Sequence, residues 1–295
     1  MQYQLLKPRY WSTWLLLGFM RLVVWCPYRV QLWVGYSLGW IIRMIAKRRW
    51  RVTRVNLQMC FPAMTEKQHL KIAKKHFASL GMGIIEFGMC WWMSEKRLRR
   101  LAHEVRGMEH LQAARAQGHG VLLLAGHFTQ LEMVGRILGL YTDLHLMYRP
   151  IPNPVIEEVM RRNRERLFKR AIPRNDVRSL LKSLKEGKPI WYAIDQGYRG
   201  KGSIMVPFFG IPAPTNPVLS RVARSSKAPV VPFFGERLPG NRGYRLEVFP
   251  ALENFPTDDP AADALRINKL LEENIRRSPE QYLWSHDRFK KIPRE

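Results

Sequence analysis

Residues 120–132 read GVLLLAGHFTQLE, and the order of residue types in that stretch sets the expectation for the whole chain. Val121 to Ala125 is an unbroken apolar run, too short for a membrane span and suited to a strand buried on both faces. Gly126 then lets the backbone turn, His127 follows at once, and Glu132 comes after four intervening residues. A strand that hands a histidine to the rim of a sheet is a candidate site, because α/β folds gather ligands beyond the carboxyl ends of their strands.

The His127–Glu132 spacing restricts the geometry. On one regular helix, side chains five apart are separated by roughly 140° and face different ways. With His127 in the turn and Glu132 in the first helical turns, the carboxylate can accept from one imidazole nitrogen and leave the other as a base. Taken alone, the pair is better read as a capping histidine and a surface glutamate, so the decision passes to the rest of the chain.

Working outward, the periodicity predicts helix from about Thr129 to Leu140, strand 144–148, helices 154–168 and 177–185, and strand 189–194. Helix 218–224, strands 230–234 and 244–249, and a last helix over 261–276 follow. Upstream, Thr65 and Gln68 form a weak capping box ahead of a helix ending near Cys90 to Trp92, whose glycines at 81, 83 and 88 require packing to sustain it. The alternation predicts an α/β fold, a mixed and mostly parallel sheet flanked by helices.

Three further places share the expected mouth. Arg149, after the second strand, suits a phosphate or carboxylate, and Asp195 with Gln196 follows WYAI. A basic glycine-rich loop from Tyr198 to Ser203 then leads into VPFFG, and the end of APVVPFF (228–234) could wall an acyl groove. Singly, a surface salt bridge, a helix cap and a piece of core explain these as well.

The amino-terminal quarter carries the second signal. No acidic residue precedes Glu66, yet Tyr10 to Tyr28 is apolar apart from Arg21, and Val30 to Ile42 is uncharged. Neither offers the ~18 charge-free residues of a confident span. They are expected to form a membrane-anchoring helical segment over residues 1–46, either crossing with Arg21 snorkelling or lying in the interface, with residues 47–295 as the α/β domain. No small-residue cleavage site marks a signal peptide. Lys47, Arg48, Arg49, Arg51 and Arg54 then point to an anionic cytoplasmic surface.

Over 295 residues, 49 Lys and Arg against 24 Asp and Glu give a net charge of +25, which favours polyanionic partners: nucleic acid, anionic lipid or acidic protein. Cys26, Cys60 and Cys90 fit neither a disulfide framework nor a metal spacing, and His127 with Glu132 lacks a third zinc ligand, so no metal or cofactor is expected. The six cations Arg161, Arg162, Arg164, Arg166, Lys169 and Arg170 form either a docking face or an ordinary solvated one.

The order His-X4-acid, arginine block, basic loop with VPFFG, then a PVVP-type strand resembles the glycerolipid and lipid A acyltransferases. KPRYWSTW, RVNLQMCFPAMT, GMGIIEFGMCWW, VRGMEHL, GHFTQLE, YRPIPNP and SPEQYLWSHDRFK narrow the resemblance to the late, or secondary, lipid A acyltransferases of Gram-negative bacteria, of the lauroyltransferase type. That resemblance implies transfer of a fatty acyl chain from acyl carrier protein to the 3-hydroxyl of an acyl chain on a Kdo-bearing lipid A precursor, at the cytoplasmic face of the inner membrane. It makes His127 the general base and Glu132 its partner, with Arg149, Asp195 and Gln196 lining the site. Gln196 stands where related enzymes often carry a histidine. The alternatives are a lysophospholipid acyltransferase using coenzyme A or carrier-protein donors, and a basic membrane-associated nucleic-acid binder. The latter lacks a binding module.

Overall fold

The computed structural model describes residues 3–197, 200 and 202–289. Tyr198, Arg199 and Lys201 of the basic loop, and the chain from Lys290 onward, lie outside the described residues.

Four helices come first: α1 (Trp11–Trp25), α2 (Tyr28–Ile45), α3 (Lys47–Cys60) and α4 (Glu66–Trp92). Pro27 forces Cys26 into extended backbone and so ends α1. The expected capping box opens α4: the Thr65 hydroxyl accepts from the Gln68 N–H, and the Gln68 side chain accepts from the Thr65 N–H at 2.7 Å. The glycines inside α4 are contact points. A Cβ on Gly81 would stand 2.2 Å from the Gly35 carbonyl oxygen of α2, and one on Gly39 only 2.1 Å from the Phe77 oxygen. Their absence lets the two backbones touch, and that packing compensates the poor helix propensity.

The rest alternates α5 (Glu95–Leu101), β1 (Ala102–Arg106), α6 (Met108–Ala116), β2 (Val121–Ala125), α7 (Leu131–Leu138), β3 (His145–Tyr148) and α8 (Pro154–Leu167). β4 (Arg170–Pro173), α9 (Val177–Lys185), β5 (Pro189–Ala193), the hairpin β6 (Ile204–Phe208) and β7 (Ile211–Thr215), and α10 (Val218–Ser226) come next. β8 (Val230–Arg237), β9 (Tyr244–Val248) and α11 (Pro260–Arg277) close the order. Seven strands form one sheet in the order β1-β9-β8-β2-β5-β3-β4, parallel throughout except where β9 runs against β8. This is the mixed, mostly parallel α/β sheet that the alternation predicts. The periodicity does not predict the short edge strands β1 and β4 or the β6–β7 hairpin, because their burial is interrupted and no apolar run announces them.

β2 is apolar at every position because both of its faces are covered. Val121, Leu123 and Ala125 join the core beneath α4, while Leu122 and Leu124 join the core beneath α9, α10 and α11. Val230 to Phe234 of APVVPFF lie in β8, an internal strand between β2 and β9 whose Phe233 and Phe234 are core residues. In VPFFG, Val206 to Phe208 end β6 and Phe209 and Gly210 make the hairpin turn, with Phe208 fully buried and the Phe209 N–H donating to Glu272 at 2.7 Å.

Fourteen of the seventeen exposed large apolar side chains among the described residues lie between Leu6 and Ile45, which makes the outer faces of α1 and α2 one apolar surface. Among the described residues, no helix is long and apolar enough to cross a membrane.

Candidate active site

β2 and β5 are parallel neighbours in strict register, Val121 opposite Pro189 through Ala125 opposite Ala193. Two residues past that last matched pair stand His127 and Asp195. Strands lie about 4.8 Å apart, so equal overshoot from paired ends brings two side chains together at the carboxyl rim. The imidazole Nδ1 donates to Asp195 Oδ1 at 2.5 Å, and the His127 backbone N–H reaches both carboxylate oxygens at 3.0 Å.

The carboxylate on His127 is therefore Asp195, and the expected pairing with Glu132 is corrected. α7 starts only at Leu131, and Glu132 turns toward α8, where Arg164 clamps it: Nε to Oε1 at 3.1 Å and Nη2 to Oε2 at 3.0 Å. This second pair is nearly enclosed, with side-chain exposure of 12% for Arg164 and 7% for Glu132. Arg149 and Gln196 both lie exposed just past the ends of β3 and β5.

The electrostatics match a base held by an anion. Burial works against the Asp195 charge, but the attraction of His127 and the hydrogen bonds from its ring and its backbone N–H outweigh it, holding the carboxyl down to about 2. Asp195 is thus ionised at neutral pH and is 2% exposed, while the His127 side chain keeps 24% exposure. With Nδ1 committed to Asp195, Nε2 is the ring nitrogen left for a substrate. A partly open imidazole with one nitrogen fixed by a buried carboxylate can take a proton from a hydroxyl and return it to a leaving group.

His286 sits close by, accepting the Gly197 N–H on Nε2 at 3.3 Å. Burial lowers its pKa against the pull of Asp195, which suits a neutral acceptor. Neither it nor Arg164 stands out as a site residue in the sequence, although SPEQYLWSHDRFK contains the one and the α8 basic set the other.

That basic set proves to be mostly matched charge. Arg161 pairs with Glu158 and Glu165, Arg162 with Glu158, Arg164 with Glu132, and Arg166 with the Trp91 carbonyl and Asn163. A cleft of about 440 Å³ lies at the opposite end of the sheet, between the start of β8 and the end of β9, away from His127.

A family model for bacterial lipid A biosynthesis acyltransferases matches residues 1–291. The chain belongs to that family. It is 40% identical over 290 residues to the lipid A biosynthesis lauroyltransferase of Escherichia coli (strain K12), covering 98% of this chain and 94% of that protein. It is also 40% identical over 294 residues to the lipid A biosynthesis palmitoleoyltransferase of the same organism, with the same coverage, and 24% identical over 279 residues to its myristoyltransferase. As a lipid A biosynthesis acyltransferase the chain is an O-acyltransferase.

Proposed function

We propose that this lipid A acyltransferase moves a fatty acyl chain from acyl carrier protein to the 3-hydroxyl of an acyl chain on a Kdo-bearing lipid A precursor, with His127 as general base. The observation that carries this reading is the 2.5 Å contact between His127 Nδ1 and buried Asp195, which leaves Nε2 for the acceptor. The acceptor hydroxyl attacks the thioester carbonyl while Nε2 takes its proton, and the tetrahedral intermediate collapses with cleavage of the C–S bond. The departing thiolate then recovers the proton from the imidazolium. Asp195 fixes the tautomer and stabilises the imidazolium, as the acid of a triad does. A base left free to meet the acceptor hydroxyl itself favours direct transfer through a ternary complex over an acyl-enzyme.

Glu132 enters through Arg164. Its carboxylate holds the guanidinium bidentately and ties α7, which follows the catalytic turn in the chain, to α8. Arg149 and Gln196 are exposed past the strand ends, and we assign them to the acceptor's phosphates and carboxylates. Laurate is the chain that the resemblance favours. Equal identity to a palmitoleoyl-transferring relative makes chain length an outcome of the assay. Purified protein given lauroyl- and palmitoleoyl-carrier protein with the Kdo-bearing acceptor should yield one added acyl group by mass spectrometry and no acylated protein. A trapped, chemically competent acyl adduct on the chain, or transfer only to lysophospholipids, would reject it.

We further propose that residues 1–46 anchor the α/β domain of 47–295 to the cytoplasmic leaflet of the inner membrane, lying in the interface. Trp11, Trp25, Trp33 and Trp40 are 59–70% exposed on α1 and α2, and indole rings favour headgroup depth. The exposed Lys47, Arg48 and Arg51 of α3, which follows directly, suit an anionic surface. Trp33→Glu combined with Trp40→Glu should lower binding to phosphatidylglycerol-containing vesicles about tenfold or more, since each change removes roughly 1.5–3 kcal/mol of apolar transfer. Tm should stay unchanged because both rings are exposed. Unaltered co-sedimentation would reject the interfacial anchor.

A further inference from the structure

We infer that Gln281 and Gln130 are positioning residues for the reaction: their side-chain amides dock on an open stretch of the β8 edge and so fix the turn that carries His127. This rests on the reading of His127 as the base.

β2 and β8 differ in reach. β8 runs from Val230 to Arg237, but β2 pairs with it only as far as Leu124 opposite Pro232, and after Ala125 the chain leaves the sheet for the turn 126–130. Past Pro232 the edge of β8 that faces β2 therefore has no strand to take its backbone groups, and leaving them unpaired in the interior would be costly. Two buried glutamines supply the partners. Gln130 Nε2 donates to the Gly235 carbonyl at 2.6 Å. The Arg237 N–H donates to Gln281 Oε1 at 2.8 Å, and Gln281 Nε2 donates to the Arg237 carbonyl at 2.9 Å. A primary amide carries a donor and an acceptor side by side, so Gln281 exchanges with Arg237 the two bonds that a residue of a neighbouring strand would make.

Both glutamines are also joined to the catalytic turn. Gln130 is its last residue before α7, and its Oε1 accepts from the Thr129 hydroxyl at 3.1 Å. Gln281 lies on the segment 278–288, whose backbone pairs with the turn: the Gln281 carbonyl accepts the Thr129 N–H at 2.8 Å, and the Leu283 N–H donates to the His127 carbonyl at 3.0 Å. Phe128 and Tyr282 form the antiparallel bridge between those two bonds. The segment is fastened in turn to α3, where Asn56 donates to the carbonyls of Trp284 and His286 at 2.8 Å each. The bonds between His127 and Asp195 hold those two residues to each other, whereas the bonds through Gln130 and Gln281 hold the turn to the sheet. A base whose small misplacement costs much of the rate depends on that second set.

Gln281→Met keeps the length of the side chain and deletes both amide bonds. At a temperature where the variant is folded, kcat should fall about tenfold, the scale of one hydrogen bond's contribution to placing the base, with KM within about twofold. Gln130→Met gives up a single bond to β8 and should lower kcat about threefold to tenfold, again with KM unchanged. It carries the test if Gln281→Met yields no folded protein. In the His127→Ala background, measured on its residual rate, either change should cost less than about twofold, because the base that they position is already gone. A purely structural role would instead lower the residual rate by the same factor as the wild-type rate. Wild-type kcat in either folded variant, or equal losses with and without His127, overturns the inference. Full activity of His127→Ala alone would sink the reading of His127 as the base, so the two failures are distinguishable.

Discussion

His127→Ala should reduce acyl transfer by about three orders of magnitude and Asp195→Asn by about two to three, with little change in thermal stability for either. The first removes the group placed to take the acceptor's proton, and general-base catalysis accounts for about 10²–10⁴-fold in rate. The second keeps the shape and a hydrogen-bonding oxygen, but it removes the charge that stabilises the imidazolium and selects the tautomer with Nδ1 protonated. The amide oxygen that Asp195→Asn leaves behind would still accept from the two N–H groups of His127, so Tm should hold within a few degrees. Glu132→Ala is the informative contrast. Its carboxylate is the bidentate partner of an Arg164 that is only 12% exposed, so the variant leaves a nearly buried guanidinium unpaired. That should cost about 3–5 kcal/mol of stability together with activity, because α7, which follows the catalytic turn in the chain, loses its tie to α8. Transfer rate and Tm measured side by side separate the roles: Asp195→Asn loses rate alone, whereas Glu132→Ala loses both. A Glu132→Ala enzyme of normal Tm, combined with a fully active Asp195→Asn, would return the carboxylate role to Glu132.

Much of this site is legible along the chain, and the part that is not is the part set by strand pairing. β2, Gly126 and His127 are readable because a five-residue apolar run bounded by glycines is a local pattern. WYAI followed by Asp195 is readable as a strand end for the same reason. The link between them depends on register: Ala125 opposite Ala193 is a nonlocal fact, and without it the nearest acid in sequence, Glu132, takes the partner's place. Both motifs nevertheless place the functional residue two positions past the strand, and that equal offset is the available clue.

Other features likewise depend on their partners. The arginines of α8 look like a basic face in the sequence, although Glu158 and Glu165 stand within three or four residues of them on the same helix and neutralise Arg161 and Arg162. The hairpin β6–β7 is hidden by prolines at 207, 212 and 214, which fit an isolated two-stranded ribbon but argue against a strand in a wide sheet. The glycines of α4 look unfavourable until α2 lies across them.

The largest effect on stability is expected at the buried pair Glu86–Arg237, and its position makes it a test of how the helices are fastened to the sheet. Arg237 and Tyr244 are paired across β8 and β9, and both reach a carboxylate on α4. The guanidinium donates through Nε and Nη2 to the two Glu86 oxygens at 2.7 and 2.8 Å, and the Tyr244 hydroxyl donates to Oε1 at 2.5 Å. Burial opposes the Arg237 charge, but Glu86 outweighs it and holds the guanidinium above its ordinary pKa. At 1% and 5% side-chain exposure, neither ion has water to fall back on once its partner is removed. Glu86→Leu or Arg237→Met alone should therefore cost about 3–5 kcal/mol, read as a large drop in Tm or in folded yield. The double variant should recover most of that loss, because two apolar residues of similar volume leave no orphaned charge. Activity should not return with stability. Arg237 Nη1 also donates to Ser79 at 2.9 Å, and Ser79 bonds Thr129, two residues beyond His127, at 2.6 Å. The double variant should thus fold with a kcat still reduced about tenfold, one hydrogen bond's worth of positioning at the catalytic turn. If restoring the fold also restored the rate, the ion pair would be a fastening of α4 to the sheet and nothing more.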